Sequence, residues 1–336
     1  MPDNPGMHER GLLEQLEDGP VSGDTLARRA GVTRAAIWKR IDALRAAGLD
    51  IDATPGRGYM LRQPVSLLDA AAIERSLPAE AHDALAGLDV AWSVDSSNSE
   101  LLRRGPPDRG ASVLLAETQT GGRGRRGRAW TSPLAAQVAL SVARRFGGGL
   151  SRLGGLSLVA GVAAADALRD VGVRDIGLKW PNDLVVPRAD GPRKLGGILV
   201  EGGGEHAGPA HAVIGVGINV RLSAAVGAGI GQPWTDLAHC LGDPRGTAID
   251  RNAVAAALLA RLLPALADFD RDGLARFLDR FAAFDVLAGR EVTVRDGSRE
   301  HVGIAGGLAA DGGLRLALAS GEVRVFHAGE ASVRAR

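Results

Sequence analysis

The spacing of apolar residues changes twice along this chain and divides it into three stretches. In the first, Leu12, Leu13 and Leu16 fall on one side of the segment His8–Glu17, which predicts a helix. Ser22 is a good N-cap for a second helix running to about Ala30, with Gly31 making the turn. Thr33 caps a third helix that ends near Ala47-Gly48. There Ile37, Ile41 and Leu44 stand at i, i+4 and i+7, one buried stripe, while Ala35, Ala36 and Lys39 point the other way. Two short strands, Leu49–Thr54 and Gly58–Leu61, follow around Pro55-Gly56-Arg57. Three helices and a hairpin in this order predict a winged helix-turn-helix.

Gln63–Pro64 begins a linker, and from about Leu67 to Asp285 the pattern is mixed α/β. Val113–Glu117, Ile198–Glu201 and Ala212–Val220 read as strands. Leu156–Val171, Asn252–Phe269 (interrupted at Pro264) and Leu274–Phe284 read as helices. Arg221–His239 carries Gly227, Gly229, Gly231 and Pro233 with weak periodicity; it reads as a long loop of the mobile or functional kind. From about Val286 the chain alternates again. Glu291–Arg295, His301–Ile304, Leu314–Leu318 and Glu322–Phe326 read as short strands joined by Asp296-Gly297 and Asp311-Gly312-Gly313, a small β-barrel-like unit.

Composition narrows the possibilities. The 336 residues carry 40 Lys+Arg against 39 Asp+Glu. That near-balance excludes a protein that coats polyanions over its whole surface. Charge is nevertheless clustered. Arg28 to Arg62 contains eight basic and three acidic residues, net +5, on the second and third helices and the wing. This is the footprint of a nucleic-acid surface, although the same unit could serve protein contacts alone. On it Lys39 suits a base edge, and Arg34, Arg40 and Arg57 suit phosphates. One cysteine excludes a disulfide framework. The longest apolar stretch, near Leu156–Leu168, is shorter than the ~18–20 residues of a membrane helix, and the N-terminus shows no secretory signal. A soluble cytoplasmic chain with no membrane partner is expected. Only Lys39, Lys179 and Lys194 are lysines among the 40 basic residues, so each retained ammonium is conspicuous.

The densest chemical signal is Gly121-Gly122-Arg123-Gly124-Arg125-Arg126-Gly127-Arg128-Ala129-Trp130. Gly122–Gly127 matches G-x-G-x-x-G. However, no helix opens after it, and no acidic residue stands about twenty positions on, so it is not a dinucleotide fingerprint. Glycines let backbone approach a ligand, and arginine forks fit phosphate and carboxylate. The loop should repel itself in water and be ordered by an anion. The second cluster is Lys179-Trp180-Pro181-Asn182-Asp183, a tight turn. Arg193-Lys194-Leu195-Gly196-Gly197-Ile198-Leu199-Val200-Glu201 follows, where the paired glycines clear one strand face for a planar ligand. The third is Ile214-Gly215-Val216-Gly217-Ile218-Asn219-Val220. The fourth, Asp95-Ser96-Ser97-Asn98-Ser99, either caps a helix beginning at Glu100 or presents donors and acceptors to a neutral polar group.

GRGRRGRAW, KWPND, KLGGILVE and GVGINV, in this order and spacing, closely resemble biotin protein ligases. With the amino-terminal winged helix, nearly the whole chain is similar to the bifunctional ligase/repressor members of that family. The resemblance implies an α+β multidomain fold. Residues 1–63 would be the winged helix-turn-helix, 64–285 a class II synthetase-like ligase domain with a mixed sheet, and 286–336 an SH3-like β-barrel. It also implies ATP, Mg2+ and biotin as ligands. Biotin's carboxylate would attack the α-phosphate of ATP, giving biotinyl-adenylate and pyrophosphate. A lysine of a biotin carboxyl carrier protein would then take the acyl group.

On this resemblance Lys194, Arg123, Arg125 and Asp183 are the catalytic candidates. Lys194 bridges carboxylate and phosphate oxygens, and Asp183 either orients or deprotonates the incoming lysine or helps hold magnesium. Ser96, Ser97, Asn98 and Gln119, with Gly122, Gly124, Gly196 and Gly197, would hold biotin. Serine stands at 97 where the family often has threonine, and the hydroxyl is kept. Arg126, Arg128 and Trp130, then Lys179, Asn182 and Asn219, fall on the nucleotide side. Trp234 matches an adenine-side position, and Glu330 and Arg334 complete the adenylate site. The seven histidines have no metal-ligand spacing, so magnesium is expected with ATP rather than in a side-chain cluster. Operator DNA and a homodimer formed on adenylate binding are the further partners implied. Two alternatives stand beside this reading: a winged-helix regulator that only senses biotin, and a lipoate–protein ligase.

Overall fold

The computed structural model describes residues 5–17, 19–204, 209–243, 249–328 and 331–335. The first unit comprises α1 (Pro5–Glu17), α2 (Gly23–Ala30), α3 (Arg34–Ala46), β1 (Ile51–Thr54) and β2 (Gly58–Leu61). Ser22 accepts the Thr25 N–H at 3.1 Å and Thr33 accepts that of Ala36 at 3.2 Å; Gly31 closes α2 at φ 64°. Ile37, Ile41 and Leu44 pack against Leu12, Leu13, Leu16 and Leu26 in one core. β1 begins at Ile51 rather than Leu49 because the Leu49 N–H is still bonded to the Leu44 carbonyl, finishing α3.

Next come α4 (Ala70–Arg75), α5 (Ala79–Asp83), β3 (Leu85–Val94), α6 (Ser97–Arg104), β4 (Ala111–Gln119), β5 (Gln137–Phe146) and α7 (Leu156–Asp170). The strands β6 (Gly177–Lys179), β7 (Asp183–Val186), β8 (Arg193–Gly204) and β9 (Ala210–Asn219) follow. After them come α8 (Ala224–Ala228), α9 (Leu237–Cys240), α10 (Arg251–Asp272) and α11 (Ala275–Ala282). Seven strands form one mixed sheet in the order β3-β4-β5-β9-β8-β7-β6, with β3 and β4 parallel and the other neighbours antiparallel. β5 lies inside it, third in this order between β4 and β9, although the apolar pattern marks no strand there. It is buried on both faces for most of its length, which erases the alternation that betrays a half-exposed strand.

Three expectations are corrected. α6 starts at Ser97, not Glu100, because Ser96 supplies the cap, its side chain accepting from the Ser99 N–H. α10 runs unbroken through Pro264. An interior proline costs about 3 kcal/mol. Burial of eleven residues of that helix, most of them apolar and worth up to ~1.5–3 kcal/mol each, outweighs it. α10 is also long and apolar enough to cross a membrane, longer than the stretch near Leu156–Leu168, but it is packed in the core beside α7. Arg221–His239 is not an open loop. It contains α8 and the start of α9, and the buried Asp236 carboxylate accepts the Leu222 N–H at 2.9 Å.

The last unit is five antiparallel strands in the order β13-β12-β11-β10-β14. These are β10 (Glu291–Asp296), β11 (Arg299–Leu308), β12 (Leu314–Leu318), β13 (Val323–Phe326) and β14 (Ala331–Ala335). β14, unmarked by the sequence pattern, closes on β10. The three units touch directly. The Leu134 N–H donates to the Ala47 carbonyl at the end of α3, and Trp180 Nε1 donates to the Gly312 carbonyl at 3.1 Å. Behind the first contact, Glu117 accepts the Leu68 N–H and Arg251 Nη1, each at 2.6 Å, and Arg251 Nε reaches the Gln137 carbonyl.

Candidate active site

One face of the central sheet is covered by α7 and α10. The other carries α6 and the arginine–glycine loop, and the candidate residues meet there. Two glycines of β9 explain the fit. A Cβ on Gly215 would stand 2.4 Å from Asn98 Oδ1, and one on Gly217 would stand 2.7 Å from the Trp130 ring. The strand face stripped of side chains thus lies against this chain's own amide and indole. Trp130 Nε1 is fixed on Gln137 Oε1 at 2.8 Å. The expectation that Gly196-Gly197 together clear one face of β8 is corrected. Adjacent strand residues face opposite sides, so a Cβ on Gly197 would meet Lys194 and the Trp130 ring, while one on Gly196 would meet Ile218 and Leu184 of the core.

The serine–asparagine segment forms a continuous polar line. The Ser97 N–H donates to Gln119 Oε1 at 2.9 Å, and the Ser97 and Ser141 hydroxyls are 2.7 Å apart. Ser141 donates to Asn98 Oδ1 at 2.6 Å, and Asn98 Nδ2 donates to Glu201 at 2.9 Å and to the Leu199 carbonyl at 3.2 Å. Ser96, Ser97 and Asn98 are buried. Buried polar groups must be paired, so this line holds each amide in one orientation.

The arginine loop has more internal structure than its charge predicts. The Gly124 N–H donates to the Arg128 carbonyl and the Trp130 N–H to that of Gly122, with one turn at Arg125–Gly127 and Arg126 at φ 58°. Arg123 Nη2 bonds Ser99 Oγ at 2.8 Å and Glu201 Oε1 at 3.0 Å. Arg125 Nη1 bonds Asn182 Oδ1 at 3.2 Å, and its Nη2 reaches the Ala328 carbonyl of the last unit. Burial, and then the charge of Arg126, push the Arg125 guanidinium below its usual range. Glu201 and Ser99 partner Arg123, and Asn182 and the Ala328 carbonyl partner Arg125, while Arg126 and Arg128 still act on Arg125 as like charges. Arg126 and Arg128 are exposed.

Lys194 and Asp183 form the centre. Nζ and Oδ1 are 2.6 Å apart, with 18% and 21% of the two side chains exposed. Lys194 Nζ also lies 5.6 Å from the Trp130 ring centroid. The hairpin β6–β7 delivers Asp183 opposite both Lys179 and Gly197, and the turn between its strands carries Asn182, whose Nδ2 donates to the Ile198 carbonyl at 2.8 Å. The Lys194 backbone bonds Pro233 and Thr235, which sets Trp234 alongside it; Trp234 Nε1 is held by the Gly227 carbonyl. Asn219 is buried, its amide shared between the Thr235 carbonyl and Gln137 Nε2, so the structure places it beneath the site rather than on its surface. Glu330 lies outside the described residues, as does the Arg334 side chain, whose backbone pairs with Thr293. Among the described residues no group of three or more His, Cys, Asp or Glu side chains could hold a metal ion.

Glu201, Ser141 and Gln137 were not candidates in the sequence. Glu201 ends KLGGILVE, and strand alternation puts it on the face of Gly197, a signal that could have found it. Ser141 and Gln137 sit on β5, the strand the pattern hides. On the winged helix, Arg34, Lys39 and Arg57 are exposed and Arg40 is half-buried.

Residues 9–60 match the HTH domain, residues 94–219 the Biotin/lipoate A/B protein ligase family, and residues 288–334 the Biotin protein ligase C terminal domain. The bifunctional ligase/repressor BirA of Salmonella typhimurium is 38% identical over 324 residues, 96% of each chain. The biotin–[acetyl-CoA-carboxylase] ligase of Mycobacterium tuberculosis is 34% identical over 250 residues, 70% of this chain and 88% of that one. A solved biotin protein ligase from Aquifex aeolicus, in complex with biotin and ATP, superposes with a TM-score of 0.61 at 26% identity. It covers 75% of this chain and 100% of its own. With two relatives above 30% identity and all three units matched in order, the chain belongs to the biotin protein ligase family.

Proposed function

We propose that Lys194, held by Asp183, is the cation around which this enzyme joins biotin to ATP and then to protein. The chain is an ATP-dependent biotin protein ligase with a repressor-type DNA-binding unit. The Lys194–Asp183 pair at 2.6 Å, inside an arginine-lined site, is the observation that carries the assignment of roles.

In the first step a biotin carboxylate oxygen attacks the α-phosphorus of ATP and the bond to pyrophosphate breaks. Two anions must approach, and fixed cations lower that barrier more than mobile ones. Lys194 spans the carboxylate and phosphate oxygens, and Arg123 and Arg125 stand on either side. Gln119, Ser96, Ser97 and Asn98, in their fixed orientations, read the neutral polar ring of biotin, while Trp130 and Gly122, Gly124 and Gly197 shape the wall, with Gly196 behind it on the core side. Arg126 and Arg128, exposed, face pyrophosphate. Lys179, Asn182, Asn219 and Trp234, with Glu330 and Arg334, form or support the nucleotide side. In the second step a lysine amine of a biotin carboxyl carrier protein attacks the anhydride carbonyl, AMP leaves, and the amine loses its proton. Asp183 orients Lys194 throughout. Magnesium bound with ATP would supply further screening of the phosphate charge, and Asp183 is the site carboxylate that would be nearest to hand for it.

We divide the chain near 63/64 and 285/286. The unit 1–63 binds operator DNA through Arg34, Lys39, Arg40 and Arg57 as a ligand-linked homodimer. Ordering of the site by adenylate lowers the entropic cost of dimer formation. ATP–pyrophosphate exchange measured with biotin and with lipoate tests the ligase reading. Exchange with biotin is expected. Exchange with lipoate alone overturns it, and exchange with neither leaves a sensor. Sedimentation with and without biotin plus Mg-ATP tests the dimer: an unchanged mass, with no dimer on DNA, removes it.

A further inference from the structure

Trp38 is the most exposed of the large hydrophobic side chains among the described residues, at 55%. It lies on α3, about 100° round the helix from the stripe that buries Ile37, Ile41 and Leu44. A singly exposed hydrophobic side chain is ordinary by itself; what singles out this indole is its place on a cationic helix face. On α3 Trp38 is one turn on from Arg34 and Ala35 and adjacent to Lys39, and Arg34, Ala35 and Lys39 are all exposed. Helical side chains lean toward the N-terminus, so the indole covers the first turn of the helix, over the small Ala35. The flanking stretch carries the net +5 charge of Arg28–Arg62. A cationic helix face with one flat apolar group at its N-terminal end complements the floor of a DNA major groove. There the one apolar base substituent is the thymine C5-methyl group.

Resting on the DNA-binding reading, we propose that Trp38 is a specificity-determining residue that reads thymine methyl groups in the major groove. Arg34, Lys39 and Arg57 anchor the helix on phosphates or base edges, and these contacts alone do not distinguish thymine from the same base without its methyl.

The test uses the full chain with biotin and Mg-ATP. Fragments of its genome that it retains are sequenced, and one retained duplex is made twice, with thymidine and with deoxyuridine, which lacks only the methyl. The wild type should bind the deoxyuridine duplex more weakly, by about fourfold for each methyl packed on the indole. Trp38→Ala should bind both duplexes equally, with the slope of affinity against salt unchanged, because the phosphate contacts remain. Trp38→Phe should recover part of the preference. Discrimination kept intact in Trp38→Ala overturns the proposal, since another group then reads the methyls. Equal binding of both duplexes by the wild type also overturns it and assigns the indole to a protein partner. Retention of no fragment by the wild type removes the DNA-binding reading itself, a distinct result.

Discussion

Two carboxylate–cation pairs in this protein have the same length and different work. Glu117 and Arg251 meet at 2.6 Å with 0% and 1% of their side chains exposed; Asp183 and Lys194 meet at 2.6 Å but keep about a fifth of each side chain open. Around the first pair most of the remaining valences are spent on the protein. The other Glu117 oxygen takes the Leu68 N–H, while Arg251 also donates to the Ser66 and Gln137 carbonyls. Arg251 Nη2 alone has no partner, and it is shut away from solvent, out of a ligand's reach. The pair ties the linker after the winged helix to the centre of the sheet, and Arg10 of α1 lies 3.7 Å from the same carboxylate. Around the second pair stand the Trp130 ring, 5.6 Å from Nζ, and the Arg125 guanidinium, on which the Asp183 charge acts. A short ion pair is therefore no sign of catalysis by itself; the exposure of its unused donors separates a strut from a tool.

Breaking the buried pair should give the largest effect. Glu117→Ala leaves a guanidinium in the core and should destabilise the fold by about 3–5 kcal/mol, read by denaturant unfolding. The double variant Glu117→Leu with Arg251→Met should recover most of that loss, because an apolar pair needs no charge partner. A double variant as unstable as the single one would mean that the bonds to Leu68, Ser66 and Gln137 matter more than the charges.

Breaking the open pair should do the reverse. Lys194→Ala should lower biotin-dependent ATP–pyrophosphate exchange by about 10²–10³-fold while the unfolding midpoint barely moves. A folded variant with near-normal exchange would show that another cation is central. Gly217→Ala sharpens the contrast at the wall of the site. Its Cβ would stand 2.7 Å from the Trp130 ring, so the indole must shift. Isothermal titration should show weaker biotin binding, by roughly tenfold, about 1.4 kcal/mol, with unchanged α3. The smallest effect belongs to the DNA-binding unit. Thr33→Ala removes the cap of α3 and should cost about 1 kcal/mol of stability there, detectable as faster amide exchange in α3 and its contacts. Exchange that quickens equally across the whole chain would argue that the units unfold together.

The winged helix was legible almost residue by residue, because its signals are local. Ser22 and Thr33 cap their own helices, and Ile37, Ile41 and Leu44 share a face by helix geometry alone. The cluster of glycines, arginines and Lys194 was equally plain, and so was its likeness to the biotin protein ligases. β5 was not legible, since a strand buried on both faces loses its alternation. β14 and the continuity of α10 through Pro264 escaped too, because β14 depends on pairing with the distant β10 and α10 on the packing around it.

Composition, capping residues and short motifs determined the three units, their order and the identity of the charged groups in the site. Each of those depends on neighbours within a turn or a strand. The partners of those groups were decided by the tertiary structure. Sequence separations of 78 residues between Arg123 and Glu201 and of 134 between Glu117 and Arg251 carry no local signature. Asp183 and Lys194 meet across the local β7–β8 hairpin, but only the closing of the sheet, driven by burial of its other face on α7 and α10, brings the Trp130 indole onto Gly217.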